Sequence, residues 1–496
     1  MRPRCSSLPL AVAAGAVLLA GAAVAASVAG RRAPFEGLRR RSRSSRNVTI
    51  AAAGGRAGAD FALHRARRVF ASAERRDELD RAFELRTAEQ VAATLGNLKG
   101  ALMKVGQMAS YLDQGLPEPV RDALAQLQSD APPMSVELVD ATVRDELGAA
   151  PAELFAEWDP TPIAAASIGQ VHRALTHDGR AVAVKVQYPG VDDAIRNDLA
   201  NADLLFGSLA YLFPGLDPEP VVAELRERIL DELDYRLEAD NQRRFAAHYR
   251  GHPTIHVPEV VDELSTSRIL TTELADGARF DALLTWPQAE RDLAAETIYR
   301  FAFGSLYRLG MFNGDPHPGN YLFGPGGRVT FLDFGLVRHF AADELAGFAE
   351  MITAMVLDHD PHRFRRVVER LGLLRPGAPA TDDEVADYFS HFYEFVRTDG
   401  PYTIDDAYAS ATVRRMFDAS STHGPVMRAA NVPQEFVIIQ RINLGLYAIF
   451  GNLRATANWR RIAEELWPFV DGPPSTPMGV RVADWERVRG HRAPAA

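Results

Sequence analysis

Apolar positions recur at helical spacing through the early part of the chain. From about Asp60 to Gly115 the composition is strongly helical. In its second half Val91, Leu95, Leu98, Leu102, Val105, Ala109 and Leu112 repeat at steps of four and three, which predicts a helix with one apolar face. Lys104, Gln107 and Tyr111 fall on another face, and Gly106 between them costs about 1 kcal/mol relative to Ala unless something must approach closely. From about Pro151 the pattern changes to short β-branched runs, Ile168–Val171, Val182–Val186, Glu259–Val261 and Ile269–Leu274, predicting a small antiparallel sheet. A long amphipathic helix, about Glu219–Tyr249, interrupts it. Helices follow at about Gln288–Leu309, Ala341–Asp358, Asp382–Arg397 and Glu435–Gly451, and Pro473, Pro474 and Pro477 start a loose tail.

At 496 residues, 47% hydrophobic and 24% charged, the chain is an ordinary globular one. Its net charge of −10 is unevenly spread: residues 1–46 hold nine Arg and one acid, Glu36, a charge of +8 that leaves −18 on the remainder. That argues against a nucleic-acid-binding body. A single cysteine, Cys5, excludes an internal disulfide framework and a cysteine-ligated zinc site. Leu8–Gly30 carries no charge over 23 residues, enough to cross a bilayer core as a helix. A cleaved signal and an organellar transit peptide are alternatives. An uncleaved anchor is the preferred reading, because the Arg cluster from Arg31 to Arg46 is denser than Arg2 and Arg4 and holds the C-terminal side in the cytoplasm.

The chemistry concentrates between Phe312 and Gly335, where F-N-G-D-P-H-P-G-N precedes V-T-F-L-D-F-G. Asp315, Asn320 and Asp333 have the spacing of a kinase catalytic loop and its metal-binding Asp-Phe-Gly. Phosphoryl transfer needs one carboxylate near the attacking oxygen, and an amide with a second carboxylate to hold Mg²⁺. Upstream, Lys185 is the one cation of an apolar strand run, A-V-A-V-K-V, suited to the nucleotide phosphates, and Glu238 is its expected partner. Glu232 and Asp234, on the same predicted helix, form a second acidic cluster. Glu273 and Leu274 close the last strand run before a hinge and are further nucleotide-binding candidates. Where a Gly-rich turn is expected, Ala164, Ala165, Ala166 and Ser167 stand instead, a stiffer phosphate-covering loop. His317 is read as a loop brace rather than a metal ligand, since Mg²⁺ prefers oxygen. The helical run that starts at Ala341 follows Gly335 closely, so no long activation segment for peptide docking is present.

Lys104-Val105-Gly106-Gln107, the run Ala164–His172, Glu232-Leu233-Asp234, D-P-H-P-G-N and D-F-G together resemble the UbiB (AarF-like) family of atypical kinase-fold proteins, clearly over roughly residues 90–340. The resemblance implies an α+β, two-lobed protein-kinase-like fold with an N-terminal helical extension carrying the Lys-x-Gly-Gln motif. The expected divisions are 1–58 anchor and linker, 59–150 extension, 151–273 N-lobe, 274–470 C-lobe and 471–496 tail. It further implies that Lys104 and Gln107 point into the cleft with Lys104 near Glu232. The implied ligands are ATP or ADP with Mg²⁺, and the implied activity is ATP hydrolysis or phosphotransfer to a small molecule or lipid. A lipid or quinone-precursor ligand, often tied to isoprenoid quinone biosynthesis at a membrane, also comes from the resemblance. Two features depart from it. Asn313 stands where many relatives have His, and the apolar C-terminal anchors of some members are absent, since Phe436–Phe450 contains Gln440, Arg441 and Asn443. A small-molecule kinase of the aminoglycoside or choline type and a nucleotide-gated lipid-binding protein are the alternatives.

Overall fold

The computed structural model describes residues 134–166, 168–192, 230–417, 423–430 and 434–490. Two compact units are present. The first takes in Pro160–His172 and Lys185–Leu233, and the second takes in Val143–Asp159, Arg173–Val184 and the chain from Asp234 onward. In chain order α1 (Val136–Leu147), β1 (Glu157–Trp158), β2 (Ala164–Ala166), β3 (Gly169–Leu175) and β4 (Ala181–Gln187) come first.

In the first unit β2 pairs antiparallel with the start of β3, Ala164 opposite Val171 and Ala166 opposite Gly169. Gln170 and His172 are buried there. Gln170 Oε1 accepts from the Met134 amide at 2.8 Å, and its Nε2 lies 2.8 Å from His172 Nε2. This end of the Ala-rich motif is therefore a packed polar core. On β4, Val182, Val184 and Val186 are buried while Ala183 and Lys185 alternate onto a half-buried face, the period-2 signature of a strand.

In the second unit β1 pairs with the far end of β3, Glu157 opposite Leu175, and the start of β4 and then β6 (Ile269–Glu273) complete the order β1-β3-β4-β6. Between β4 and β6 lie α2 (Tyr235–Tyr249) and the two-residue β5 (Ile255–His256). The expected long helix is broken. Glu232 and Leu233 form a turn, and Asp234 becomes the N-cap of α2, its carboxylate accepting from the Arg236 amide at 3.0 Å. An Asp side chain competes for backbone donors in that way, so it starts a helix more readily than it continues one. Residues 219–229 lie outside the described residues. The run Glu259–Val261 contributes only an isolated bridge, Val260 to Thr272, because Asp262–Leu264 turns into a 3₁₀ helix at once.

α3 (Gln288–Leu309) matches its predicted ends and is buried on most sides. Gly310 closes it at φ 63°, its amide donating to Leu306 O at 3.1 Å, a left-handed cap that other residues adopt only with strain. β7 (Met311–Asn313), β8 (Tyr321–Gly324), β9 (Arg328–Phe331) and β10 (Val337–His339) follow, then α4 (Ala342–Ile352), which runs on into a π turn, Thr353–Leu357. α5 (Pro361–Arg370) precedes the predicted Asp382–Arg397 helix. That helix is divided into α6 (Asp382–Ser390), a 3₁₀ turn and a single α turn, Glu394–Arg397, where Tyr393 departs to φ −115°, ψ 3°. α7 (Asp406–Phe417), α8 (Gln434–Leu453) and α9 (Trp459–Leu466) complete the helical body. α8 buries Ile442, Leu446, Tyr447, Ile449 and Phe450, as a core helix does.

The last expectation to fail is the loose tail. Pro477 is the first residue of α10 (Pro477–Arg489), and Thr476 caps it by accepting from the Gly479 amide at 2.9 Å. Proline at the first helical position has no amide to waste and a preset φ, so here it starts a helix. Leu8–Gly30 lies outside the described residues, and among the described residues no helix is long and apolar enough to cross a membrane.

Candidate active site

Two pairs of strands hold the site. β7 pairs antiparallel with β10, Asn313 opposite Val337, and β8 pairs with β9, Tyr321 opposite Phe331. The loop Gly314–Asn320 therefore leaves β7 and enters β8, while Leu332–Leu336 leaves β9 and enters β10. Backbone bonds tie the two loops together: Gly314 N donates to Leu336 O at 2.7 Å and Leu332 N to Asn320 O at 3.0 Å. A Cβ at Gly314 would lie 2.8 Å from Leu336 Cγ, so only glycine permits that approach.

Asn313 fastens the same two loops with its side chain. Its Nδ2 donates to Asp333 O at 2.7 Å, and its Oδ1 accepts from the Asp315 amide at 3.1 Å. Asn320 Nδ2 donates to Asp315 Oδ2 at 3.1 Å and to Asp315 O at 3.2 Å. Asp333 Oδ1 accepts from the Gly335 amide at 3.0 Å. The amide nitrogen of Asn320 is thus turned to Asp315, so the oxygens that remain on Asn320 and Asp333 are the hard donors that suit Mg²⁺. His317 Nδ1 accepts from the Gly319 amide at 3.0 Å, the bracing role expected of it. Tyr321, just past the loop, is buried, and that burial with the Asp315 charge nearby pushes its phenol far up.

Phe334 is fully buried and packs on Phe245 of α2, with ring centroids 4.9 Å apart. Phe245 in turn packs on Phe301 of α3, which stacks on Phe331 of β9. Each such ring contributes about 2–3 kcal/mol by burial, so the Asp-Phe-Gly segment is held by the core that joins α2 to α3. Glu238, in the first turn of α2, is 5% exposed. A methyl group at Gly335 would lie 3.6 Å from Glu238 Oε2 and 3.4 Å from Asp333 Oδ1, so both carboxylates face one backbone position. One turn on, Asn241 Nδ2 donates to Phe334 O at 3.1 Å and its Oδ1 accepts from His339 Nε2 at 3.3 Å. The reading from residues alone missed Asn241 and the double role of Asn313. The signal for the first was its position three residues after Glu238.

Of the remaining candidates, Glu273 and Leu274 have their amides committed, to Glu259 O at 2.8 Å and Ala181 O at 3.0 Å. The Glu273 carboxylate meets His256 at 3.3 Å. Their carbonyls are what they can offer a ligand. Lys185 stands on β4 and Glu232 in the turn before α2, both in the first unit, with Ala164, Ala165 and Ala166 forming β2. Lys104, Gln107 and Ser167 lie outside the described residues.

Residues 126–368 match the ABC1 atypical kinase-like domain. The chain is 29% identical over 387 residues to atypical kinase coq-8, mitochondrial, of Caenorhabditis elegans, covering 76% of this chain and 50% of that protein. It is 31% identical over 271 residues to atypical kinase COQ8, mitochondrial, of Saccharomyces cerevisiae, covering 54% of each. The chain spans about half the length of the curated relatives it matches. Among solved structures, the complex of Rv3197 and erythromycin from Mycobacterium tuberculosis matches with a TM-score of 0.58 and 33% identity, over 79% of this chain and 98% of that one. With this likeness and a kinase-like catalytic loop and Asp-Phe-Gly held together by Asn313, the chain, an α+β protein with a kinase-like ABC1 domain, belongs to the UbiB (AarF-like) family of atypical kinases.

Proposed function

We propose that this chain is a Mg²⁺-dependent ATP-binding enzyme, an ATPase or a phosphotransferase acting on a small molecule or lipid, that supports isoprenoid quinone biosynthesis at a membrane. The observation that carries the reading is the coupling through Asn313: one side chain sets Asp315 and Asp333 in register, the pair of carboxylates that phosphoryl transfer requires. Asn320 and Asp333 would hold Mg²⁺, which neutralises phosphate charge when bound. Asp315, fixed by Asn320, would position the attacking oxygen. Lys185 would bind phosphate and pair with Glu238, and Ala164–Ser167 would cover the nucleotide. The carbonyls of Glu273 and Leu274 would face its base. Lys104 and Gln107 would close the cleft near Glu232, excluding a peptide substrate. A two-lobed division near Leu274 and a membrane anchor at Leu8–Gly30 belong to the same reading. The names of the worm and yeast relatives, both COQ8-type kinases, support the quinone pathway.

The test is ATP turnover and ADP binding by the full chain with Mg²⁺, with and without lipid vesicles, beside Asp333→Asn. Turnover that rises with vesicles and falls at least 100-fold (~10²) in the variant supports the proposal. Tight nucleotide binding without turnover would replace it with a nucleotide-gated lipid-binding protein.

A further inference from the structure

Within the second unit, hydrogen bonds run in series from the surface to the Asp-Phe-Gly segment. His339, exposed at the end of β10, meets Asn241 of α2, its Nε2 lying 3.3 Å from Asn241 Oδ1. Asn241 Nδ2 donates to Phe334 O at 3.1 Å, and the amide of Gly335 donates to Asp333 Oδ1 at 3.0 Å. The carbonyl of Phe334 and the N–H of Gly335 belong to one peptide unit, which is planar and turns as a rigid body. A peptide unit held at its oxygen is therefore also aimed at its nitrogen. Asn241 thus fixes the direction of the donor that the Asp333 carboxylate uses.

The neighbouring groups are fixed from other sides. The Phe334 ring is anchored against Phe245, and Asp333 O is held by Asn313. Those contacts leave the rotation of the Phe334–Gly335 plane open, and glycine offers little resistance to it. Crowding does not set it either, since a Cβ at Gly335 would make only ordinary contacts, the nearest being Asp333 Oδ1 at 3.4 Å. The bond from Asn241 does. A carboxamide keeps nearly the same shape when turned over, with oxygen and nitrogen exchanged. Turned over, Asn241 would set its oxygen against Phe334 O, two acceptors face to face. His339 prevents this: Asn241 Oδ1 can only accept, so the imidazole Nε2–H donates to it and the amide nitrogen is left for Phe334.

We propose that Asn241 and His339 are positioning residues for the Asp333 carboxylate, acting through the Phe334–Gly335 peptide plane. The inference rests on the reading of Asp333 as a carboxylate that holds Mg²⁺. With one oxygen pinned by the Gly335 amide, the carboxylate presents its other oxygen in a single direction, and Mg²⁺ demands near-ideal octahedral geometry of its ligands. Neither Asn241 nor His339 need touch the ion or the nucleotide. Their loss should weaken Mg²⁺ binding and leave metal-free nucleotide binding as it was.

Amide exchange in the full chain, free of metal and nucleotide, tests the linkage, and Mg²⁺ titration of the full chain loaded with a non-hydrolysable ATP analogue tests its consequence. In Asn241→Leu, exchange at Gly335 should accelerate about tenfold while exchange along α2 stays unchanged, and the half-saturating Mg²⁺ concentration should rise about tenfold. His339→Leu should move both readouts the same way by less. His339→Gln, whose amide places a donor where Nε2 stands, should restore them. An unchanged Gly335 rate, or equal acceleration along α2, overturns the inference, and the exposed His339 variants decide it even if Asn241→Leu does not fold. Unaltered Mg²⁺ binding in both Leu variants removes only the part given to Asn241 and His339. Absence of Mg²⁺-dependent binding before any substitution removes the reading of Asp333, and this inference with it.

Discussion

Asn313 and His252 show how single side chains set local geometry in this protein. Asn313 is 8% exposed and serves Asp333 and Asp315 at once. Asn313→Ala leaves a carbonyl and an amide unmet, with an expected stability cost of about 1–3 kcal/mol by urea titration. Misplacing reacting groups by an ångström costs roughly 10²-fold, so the proposed ATP turnover should fall by about that factor in kcat while nucleotide binding changes little. His252 Nδ1 accepts from the amides of Thr254 and Ile255 at 3.2 and 2.9 Å. Burial, then the charges of Arg300, His248 and Arg481, bring its pKa down from 6.5 to about 3. Between those values the unfolded imidazole is protonated and the folded one is not. Stability from this group is therefore full above about pH 6.5 and is lost as pH falls towards 3, by at most about 1.4 kcal/mol per unit. In His252→Gln the urea midpoint should depend less steeply on pH between 6.5 and 5, and an unchanged slope would remove His252 as the cause.

At the level of elements, α2 is held from both ends. Its N-terminal half reaches the Asp-Phe-Gly segment through Asn241, and Gln242 Nε2 donates to Pro258 O at 2.7 Å. Its C-terminal end is closed by α10. Arg489 donates to the carbonyls of Ala247, His248 and Arg250, and Trp485 Nε1 donates to Arg250 O at 3.2 Å. The Trp485 ring stacks on Tyr249 and meets His252 edge-on. A cation at a helix C-terminus opposes the helix dipole and satisfies its last carbonyls. Arg489→Ala should cost about 1–2 kcal/mol and speed amide exchange in the last turn of α2, with no change in the first. Uniform acceleration along α2 would mean that α10 supports its whole length.

Across the whole molecule, a buried charge cluster joins distant parts of the sequence. Arg300 of α3, 2% exposed in its side chain, pairs with Glu296 and with Glu465 of α9, both at 2.8 Å. Thr476, the cap of α10, donates to Glu296 at 2.6 Å. Removing the cation strands two carboxylates in the core, so Arg300→Met should destabilise by about 3–5 kcal/mol, read by chemical denaturation. Replacing Arg300, Glu296 and Glu465 together with apolar residues should recover most of that loss. If the single and triple variants lose the same amount, the cluster acts through shape and not charge.

The sequence alone determined the family and the elements with strong local signals. Asp315, Asn320 and Asp333 stood out because their spacing is that of a kinase catalytic loop and its Asp-Phe-Gly, and the fold ties the two segments that carry them together. The C-terminal end of α3 was readable because Gly310 supplies a left-handed cap. Lys185 was legible as a strand residue because it is the one cation of the apolar run A-V-A-V-K-V, which forms β4. Tertiary structure decided what depends on partners far along the chain. Asn241 acts on Phe334, 93 positions away, and Thr476 on Glu296, 180 away, and no local pattern carries such a pairing. The same holds for Pro477, which local rules read as a breaker. Whether a proline starts or stops a helix, and whether an amide is satisfied, is settled by the surfaces that close around it.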